Sequence, residues 1–233
     1  MKEYIYQRKS VRNYKLEKLS EGQLNQVREQ IAKLQALFAD IKYEIIISDK
    51  VNGLFKVNAP HYLLFYSEVK AGYLQNIGFI GQYLSLYLSS INLGSCWLGV
   101  AKATEKRSLP FVISMAFGVA SEALFREEKQ FIRKDISEVS NVNNKIVNAG
   151  RLAPSAVNVQ DWYFFQQGKQ IHCYQKKLDF LKAKMLGDKM PAINLGIALC
   201  HLSIMLENYE IIKIEDPPFV EAGSYFITIV AKE

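Results

Sequence analysis

Two apolar helical segments of the chain match each other position by position, and this match constrains the fold more than any other feature. The segment from Asn76 to Leu88 aligns without a gap with the segment from Asn194 to Leu206. Asn, Gly, Leu, Ser and Leu recur in register, and most other positions exchange one apolar residue for another. Two amphipathic helices can resemble each other by chance, but the order of the elements around them also repeats. We therefore interpret the pair as an internal duplication.

The spacing of apolar residues predicts a similar succession of elements in both halves. In the first half we predict a helix capped by Ser20, two strands, the long helix and a strand, at residues 17–38, 43–48, 61–67, 76–92 and 111–119. In the second half we predict a helix, two strands, the long helix and a strand, at residues 137–152, 162–165, 171–174, 191–208 and 225–231. The expected fold is α+β, with two repeated halves at residues 1–135 and 136–233, mixed or antiparallel sheets and buried central helices.

A duplicated chain has a consequence for where a ligand binds. Symmetric dimers bury the same surface patch of both subunits at their interface, and ligand sites often lie there. When two copies are fused, each half can lose the site components that it no longer needs. We therefore expect a pseudo-dimer, in which one chain replaces two subunits and the site lies between its halves. Such a chain needs no second copy to complete its site, so a monomer is favoured.

An uncharged stretch, residues 71–101, is long enough to span a bilayer. It contains Gln75, Asn76, Gln82 and Asn92, however, and Gly94 interrupts it. Because polar side chains need partners inside lipid, we favour a buried core helix followed by a loop. The N-terminus has no apolar signal region, and the three cysteines have no ligand spacing. We predict a cytoplasmic protein without a membrane partner, a metal site or a disulfide framework.

The composition is that of an ordinary globular protein, with 49% hydrophobic and 22% charged residues. The net charge of +6 would suit nucleic acid, an acidic membrane surface or a phosphorylated ligand. The basic residues are scattered in short clusters, and no recognisable nucleic-acid module accompanies them. We therefore predict no nucleic-acid partner and look for a small anionic ligand.

Three segments contain the residues that could form a binding site. Residues 8–12, Arg-Lys-Ser-Val-Arg, combine cations with a hydroxyl and suit a phosphate, with a solvated basic N-terminus as the alternative. Residues 92–100, Asn-Leu-Gly-Ser-Cys-Trp-Leu-Gly-Val, let the backbone approach a flat ligand at two glycines; the alternative is a helix-to-strand connection with a buried tryptophan. In residues 149–162, Pro154 ends a helix and hydrogen-bonding side chains follow it; the alternative is a polar loop.

Together the three segments resemble the motifs of the flavin-dependent nitroreductase family, written RRSxR, LGxCWxG and APSxxNxQPW. In that family two subunits form an intertwined dimer, and FMN lies at their interface. The resemblance implies that the basic segment holds the FMN phosphate, that the glycine-containing segment backs the isoalloxazine ring, and that the Pro-Ser turn arrives from the other subunit. Here the first two motifs occur only in the first half and the third only in the second. The chain is thus similar to nitroreductase-like proteins whose monomer mimics the dimer, with one FMN per chain.

The same resemblance implies roles for individual residues. Those expected at the phosphate and ribityl chain are Arg8, Lys9, Ser10, Arg12 and Arg133. Ser155 and Asn158 are expected to contact the ring, and Cys96, Trp97, Leu98 and Gly99 are expected along its other side, with backbone N–H groups near Leu98 and Gly99 facing its polar edge. Ser95, Pro154 and Gln160 complete the expected cofactor-binding set. Two positions depart from the motifs, because Lys9 replaces an arginine and Asp161 replaces the proline of Gln-Pro-Trp. The flavin itself supplies the hydride chemistry, so no protein residue is assigned as catalytic, and we interpret the three histidines as structural.

Three functional hypotheses follow. The first is an FMN-dependent oxidoreductase that takes electrons from NAD(P)H and passes them to a nitro compound or a quinone by a ping-pong mechanism. The second is a non-enzymatic FMN-binding sensor or storage protein, which would carry the same motifs. The third, a nucleic-acid or membrane-surface protein, depends only on the positive charge.

Overall fold

The computed structural model describes residues 1–53 and 57–232. Apart from Met1 and Lys2, the chain divides into two compact units, Glu3–Gln130 and Phe131–Glu233. Each unit contains its own four-stranded antiparallel sheet and its own long buried helix. The α+β class and the antiparallel sheets that we expected are confirmed. The predicted division at 135/136 concerns the repeated halves, and it stays a prediction.

The first unit is built from a sheet, a long helix and shorter elements. In chain order these are α1 (Lys2–Ile5), α2 (Glu21–Ala32), β1 (Tyr43–Ser48), β2 (Val51–Asn52), β3 (His61–Ser67), α3 (Tyr73–Ser90), β4 (Gly94–Leu98), β5 (Lys102–Ala103) and β6 (Phe111–Gly118). The sheet order is β1-β3-β6-β4, and β2 pairs with β5 separately. Strand β4 is therefore an edge strand, which leaves one side of it open to the N-terminal segment.

The second unit has the same kind of sheet and long helix. In chain order its elements are α4 (Ile136–Val139), α5 (Lys145–Arg151), β7 (Trp162–Gln167), β8 (Gln170–Lys176), α6 (Phe180–Leu186), α7 (Lys189–Leu206), β9 (Tyr209–Ile212) and β10 (Gly223–Ala231). The sheet order is β7-β8-β10-β9. In both units the first, second, fourth and third main strands lie side by side, and the long helix follows the second strand.

The long helices α3 and α7 are buried because both are apolar on nearly every side. Helix α7 is the one helix among residues 1–53 and 57–232 that is long and apolar enough to cross a membrane. Most of that helix is buried inside the structure, as expected for a helix that packs in a protein core. Helix α3, which contains much of the uncharged stretch, is buried from Asn76 to Ser89 except at the half-buried Tyr83 and Tyr87. The expectation of a core helix at this position is confirmed.

Several element boundaries differ from those predicted. Helix α2 begins after Ser20, whose side chain forms the expected cap in a reciprocal capping box with Gln23, but the helix ends at Ala32 rather than at residue 38. The predicted helix at 137–152 was wrong as one element, because Asn144 caps a new helix with its side chain and Ser140 is extended against Phe164. The loop expected after α3 is instead the strand β4.

Candidate functional site

The basic N-terminal segment lies along the open edge of β4. Ser10 forms a parallel bridge with Ser95, and the Val11 N–H donates to the Ser95 carbonyl over 3.0 Å. Gly94 permits this approach, because a Cβ there would lie 2.7 Å from a Val11 methyl group. On the other side of the segment, Arg8 forms an antiparallel bridge with Phe125. The first two predicted motifs are therefore adjacent in the first unit.

Arg8 is the most unusual side chain of this segment, because it is a cation with only 2% of its surface exposed. Its Nη2 donates to Ser10 Oγ over 3.2 Å, while its buried Nε has no hydrogen-bond partner within the described residues. No acidic side chain forms an ion pair with it in that part of the chain. Burial, and then the charge of Arg126, lower the pKa of Arg8 to about 10. A buried guanidinium with an unused donor is suited to an anion.

The neighbouring cations are arranged differently. Lys9 forms a 2.8 Å ion pair with Glu122, whose other oxygen accepts from the backbone N–H groups of Arg12 and Asn13. The Lys9 hydrogen bond, followed by these backbone donors, lowers the pKa of Glu122 to about 2. The Lys9 charge is thus matched by a carboxylate, whereas the Arg12 side chain is exposed at the surface.

Strand β4 directs its polar and aromatic side chains into the first unit. Ser95 Oγ lies 2.8 Å from Ser85 Oγ of α3, and Trp97 Nε1 donates to Gln82 of the same helix. The Trp97 ring stacks on Phe65, with 5.5 Å between the ring centroids. Cys96 is buried, and burial raises the pKa of its thiol. Leu98 is the last residue of the strand, and Gly99 follows it in an exposed bend.

The third motif forms a strained turn in the second unit. Val157, Asn158 and Gln160 have positive φ angles of 44°, 58° and 49°, a conformation that non-glycine residues rarely adopt. The turn is stabilised from within, because Ser155 Oγ accepts from the Gln160 N–H over 2.9 Å. Its side chains also bind the segment before α4, since the Lys134 N–H donates to Gln160 Oε1 over 2.8 Å.

Arg133 contacts the same turn. Its Nη1 donates to Asn158 Oδ1 over 2.9 Å, and its Nε and Nη2 donate to the Leu152 carbonyl. Asn158 Nδ2 in turn donates to the Ile132 carbonyl over 3.0 Å. The described contacts of Arg133 therefore brace the turn after Pro154, and its expected role at a phosphate stays a prediction.

Two functional candidates escaped the sequence interpretation, namely Glu122 and Asn194. Glu122 pairs with a lysine 113 residues away, so no local pattern marks it. Asn194, on α7, accepts from the Ala156 N–H over 2.9 Å and donates to Asp161 Oδ1 over 3.0 Å. A signal for Asn194 existed, because its Asn-x-Gly sequence is repeated at the start of both long helices.

The three histidines form hydrogen bonds within their own units, and the three cysteines are buried. His61 accepts from the Leu19 N–H, His172 bonds Thr228, and His201 bonds the Ala149 carbonyl. All three cysteines are buried as free thiols. Within residues 1–53 and 57–232, no three His, Cys, Asp or Glu side chains form a group that could hold a metal ion.

Comparison with known proteins identifies the family. The family model described as "Putative TM nitroreductase" matches residues 1–206. The chain belongs to this nitroreductase family. A crystal structure described as a "putative nitroreductase" from Thermotoga maritima MSB8 shares the fold, with 20% identity and a TM-score of 0.68 over 99% of this chain and 93% of that chain. The predicted nitroreductase-like fold is therefore confirmed. No curated protein sequence matches this chain.

Two shorter proteins each match only part of the chain. An FMN-dependent nitroreductase from Clostridium difficile R20291 is 17% identical, with a TM-score of 0.47 over 62% of this chain and 99% of that chain. A structure described as a "Putative NADH Oxidase" from Clostridium acetobutylicum is 15% identical, with a TM-score of 0.46 over 60% of this chain and 99% of that chain.

Proposed function

We propose that this nitroreductase-family protein binds one FMN per chain and passes electrons from NAD(P)H to a nitro compound or a quinone. The observation that carries the proposal is Arg8, a buried cation with an unused Nε donor beside Ser10. Burying a charged side chain without a group of opposite charge beside it costs free energy. The FMN phosphate supplies the missing negative charge and accepts forked hydrogen bonds from a guanidinium.

The residues present fit such a phosphate. Arg8, Ser10 and the exposed Arg12 would hold it, since they share one segment alongside β4. Lys9 would contribute less, because Glu122 already balances its charge. Residues 95–99 would lie along the ring, with the exposed Gly99 as the point at which the backbone is open to a ligand.

In the second unit, Pro154, Ser155, Asn158 and Gln160 would contact the ring, and Arg133 would position them through Asn158. We further propose that the chain is a pseudo-dimer derived from duplication. The shared strand order of the two sheets and the matching place of the long helix support this proposal. A cytoplasmic monomer without a nucleic-acid or membrane partner fits the three free thiols and the scattered charge.

When bound, FMN supplies the hydride chemistry. The protein residues bind and orient the cofactor, and none of them is assigned a proton-transfer role. A ping-pong order follows if the donor and the acceptor use the same face of the flavin in turn. Steady-state rates measured at several concentrations of both substrates test this order, because parallel double-reciprocal lines are expected.

The binding proposal is tested with purified protein and FMN. We expect yellow absorption to be retained through gel filtration, at one FMN per chain and at the elution volume of a monomer. The Arg8→Met variant should weaken FMN binding about 30-fold, because charged hydrogen bonds to the phosphate are lost. Its affinity for riboflavin, which has no phosphate, should change little. Lys18→Met removes a cation outside the site and is the charge control. A colourless protein that binds no added FMN contradicts the proposal.

Turnover is tested separately. Oxidation of NADH or NADPH in the presence of a nitroaromatic compound or a quinone distinguishes an enzyme from a protein that only binds FMN. Bound FMN without turnover would favour the sensor or storage function.

A further inference from the structure

One buried amide connects the strained turn to an acidic residue. The side chain of Asn194 lies in the core, where its Oδ1 accepts from the Ala156 N–H over 2.9 Å and its Nδ2 donates to Asp161 Oδ1 over 3.0 Å. We call this hydrogen-bonded chain, from the Ala156 N–H through Asn194 to Asp161, the Asn194 bridge. It joins the first residue after Ser155 to the residue before β7.

Asp161 is an unusual end to such a bridge, because it is a carboxyl group with 1% of its surface exposed. Its Oδ2 has no hydrogen-bond partner within the described residues. The charged group that faces it is Lys134, whose Nζ donates to the Gln160 carbonyl over 3.2 Å. The groups that face it from α7 and β8, Asn194 and Gln175, are neutral amides.

The protonation of Asp161 is therefore finely balanced. Burial raises the pKa of this carboxyl to about 6, and the hydrogen bond from Asn194 opposes part of that rise. The Asp161 carboxyl group therefore changes its charge in a pH range close to neutrality. Because Asp161 stands where the family motif has proline, the bridge is a feature of this chain rather than of the motif.

The turn needs an external anchor. Val157 is 65% exposed and has φ 44°, so packing does not hold it in this conformation. A residue in a sparsely populated backbone region persists only when its surroundings determine it. Ala156 immediately precedes Val157, and the Asn194 bridge fixes its N–H. The bridge thus fixes the start of the strained segment that includes Asn158.

We propose that Asp161 is a positioning residue for the strained turn of the third motif, acting through the Asn194 bridge to hold Ser155 and Asn158 in the geometry that binds the ring. The inference rests on the proposed function. An ionised carboxylate polarises the Asn194 amide and strengthens its bond to the Ala156 N–H, because hydrogen bonds in a chain reinforce one another. A protonated Asp161 leaves that bond weaker. The affinity for FMN therefore follows the charge of Asp161.

The test compares the wild-type protein with Asp161→Asn, which keeps the side-chain shape and cannot ionise. The dissociation constant of FMN is measured from pH 5 to pH 8. We expect the variant to bind FMN about fivefold more weakly than the wild type at pH 8, and equally at pH 5. The FMN phosphate also titrates between pH 5 and pH 8, but it does so in both proteins. The ratio of the two FMN dissociation constants therefore reports the effect of the Asp161 charge alone. Glu210→Gln, which removes an exposed acid of the same unit, should follow the wild type.

A second measurement separates positioning from general damage. The Ala156 amide should exchange with solvent about fivefold faster in Asp161→Asn at pH 8, while the unfolding midpoint in urea rises because a buried charge has been removed. General damage to the fold would also speed exchange at Ala156, but it would lower the unfolding midpoint in urea.

A constant ratio of FMN affinities from pH 5 to pH 8 would overturn the inference even if FMN binds well. A wild-type protein that binds no FMN would overturn the proposed function. If no FMN binds, unchanged exchange of the Ala156 amide in Asp161→Asn would also contradict a role of the Asn194 bridge in fixing the turn. Faster exchange in that variant would support this role.

Discussion

Asn76 in the first unit and Asn194 in the second stand at the same place in two matching helices and differ in one hydrogen bond. Each accepts from a backbone N–H 38 residues earlier, Phe38 over 3.0 Å and Ala156 over 2.9 Å. Asn194 Nδ2 also donates to Asp161, whereas Asn76 Nδ2 is buried without a partner within residues 1–53 and 57–232. The shared bond fixes the chain entry in both units, and the unshared bond belongs to the unit with the strained turn.

The residue that gives Asn194 its additional hydrogen bond can be identified by extending the gapless match of the two long helices towards the N-terminus. Five positions beyond the bonded N–H, the first unit has Tyr43 and the second has Asp161. A tyrosine at the start of β1 and an acid before β7 give the two asparagines different surroundings. A repeated polar residue can therefore keep one structural role while only one copy acquires a link to an ionisable group.

The largest expected effect comes from removing each asparagine. Asn194→Leu should lower the free energy of unfolding by about 4 kcal/mol at pH 8, because it removes the partner of a part-buried N–H and of a buried carboxylate. Asn76→Leu should cost about 2 kcal/mol, since one N–H alone loses its acceptor. Urea unfolding of the two variants checks this. Equal losses at pH 8 would mean that Asp161 does not distinguish the two sites.

The second effect concerns the charge of Asp161. Its pKa of about 6 in the folded protein lies above the ordinary value of 3.8, so folding favours the protonated form. The stability contribution of this group is fully present below about pH 3.8, falls as the pH rises towards 6, and stays low above that. Asp161→Asn should therefore raise the free energy of unfolding at pH 8 by about 2 kcal/mol and change it little at pH 3.5. Urea midpoints measured across this range provide the check.

A third effect is expected in the first unit, where the stability contribution of an acidic residue is lost as the pH falls rather than as it rises. Glu122 has its pKa lowered to about 2 by Lys9 and two backbone donors, so its contribution is present above the ordinary value of 4.5 and is lost as the pH falls through about 2. Glu122→Gln should cost about 1 kcal/mol at pH 7, a modest value because the ion pair is partly exposed. The cost should shrink in acid. Urea unfolding at pH 7 and pH 3 measures it, and a cost that grew in acid would contradict this assignment.

Much of the fold could be predicted from local patterns. Strands β1 and β3 have the predicted bounds, because alternating or continuous apolar runs are enclosed by polar residues and by Pro60. The Ser20 cap was equally readable. The break at Asn144 was not, since Val139 and Ile146 fit one helical face and the decisive contact of Ser140 with Phe164 is tertiary.

The candidate site was less predictable than the fold. The motifs located the segments, and the structure brings Ser10 next to Ser95; the expected roles of these residues at a flavin stay predictions. Charged side chains usually lie at the protein surface, so the sequence gives no reason to expect Arg8 in the core. The partners of Lys9 and Asn194 lie 113 and 33 residues away, and no short-range pattern encodes such contacts.

The smallest expected effect compares the two turns directly. Val157 has φ 44° and is exposed, and the position that aligns with it in the first unit is Ala39, also exposed and without a positive φ. Asparagine tolerates the left-handed region better than a β-branched residue does. Val157→Asn should therefore raise the free energy of unfolding by about 0.5–1 kcal/mol, while Ala39→Asn should bring no gain. Urea unfolding of both variants decides the matter. A gain at both positions would mean that the substitution acts through the unfolded chain, and that strain is not what separates the turn of the second unit from its counterpart in the first.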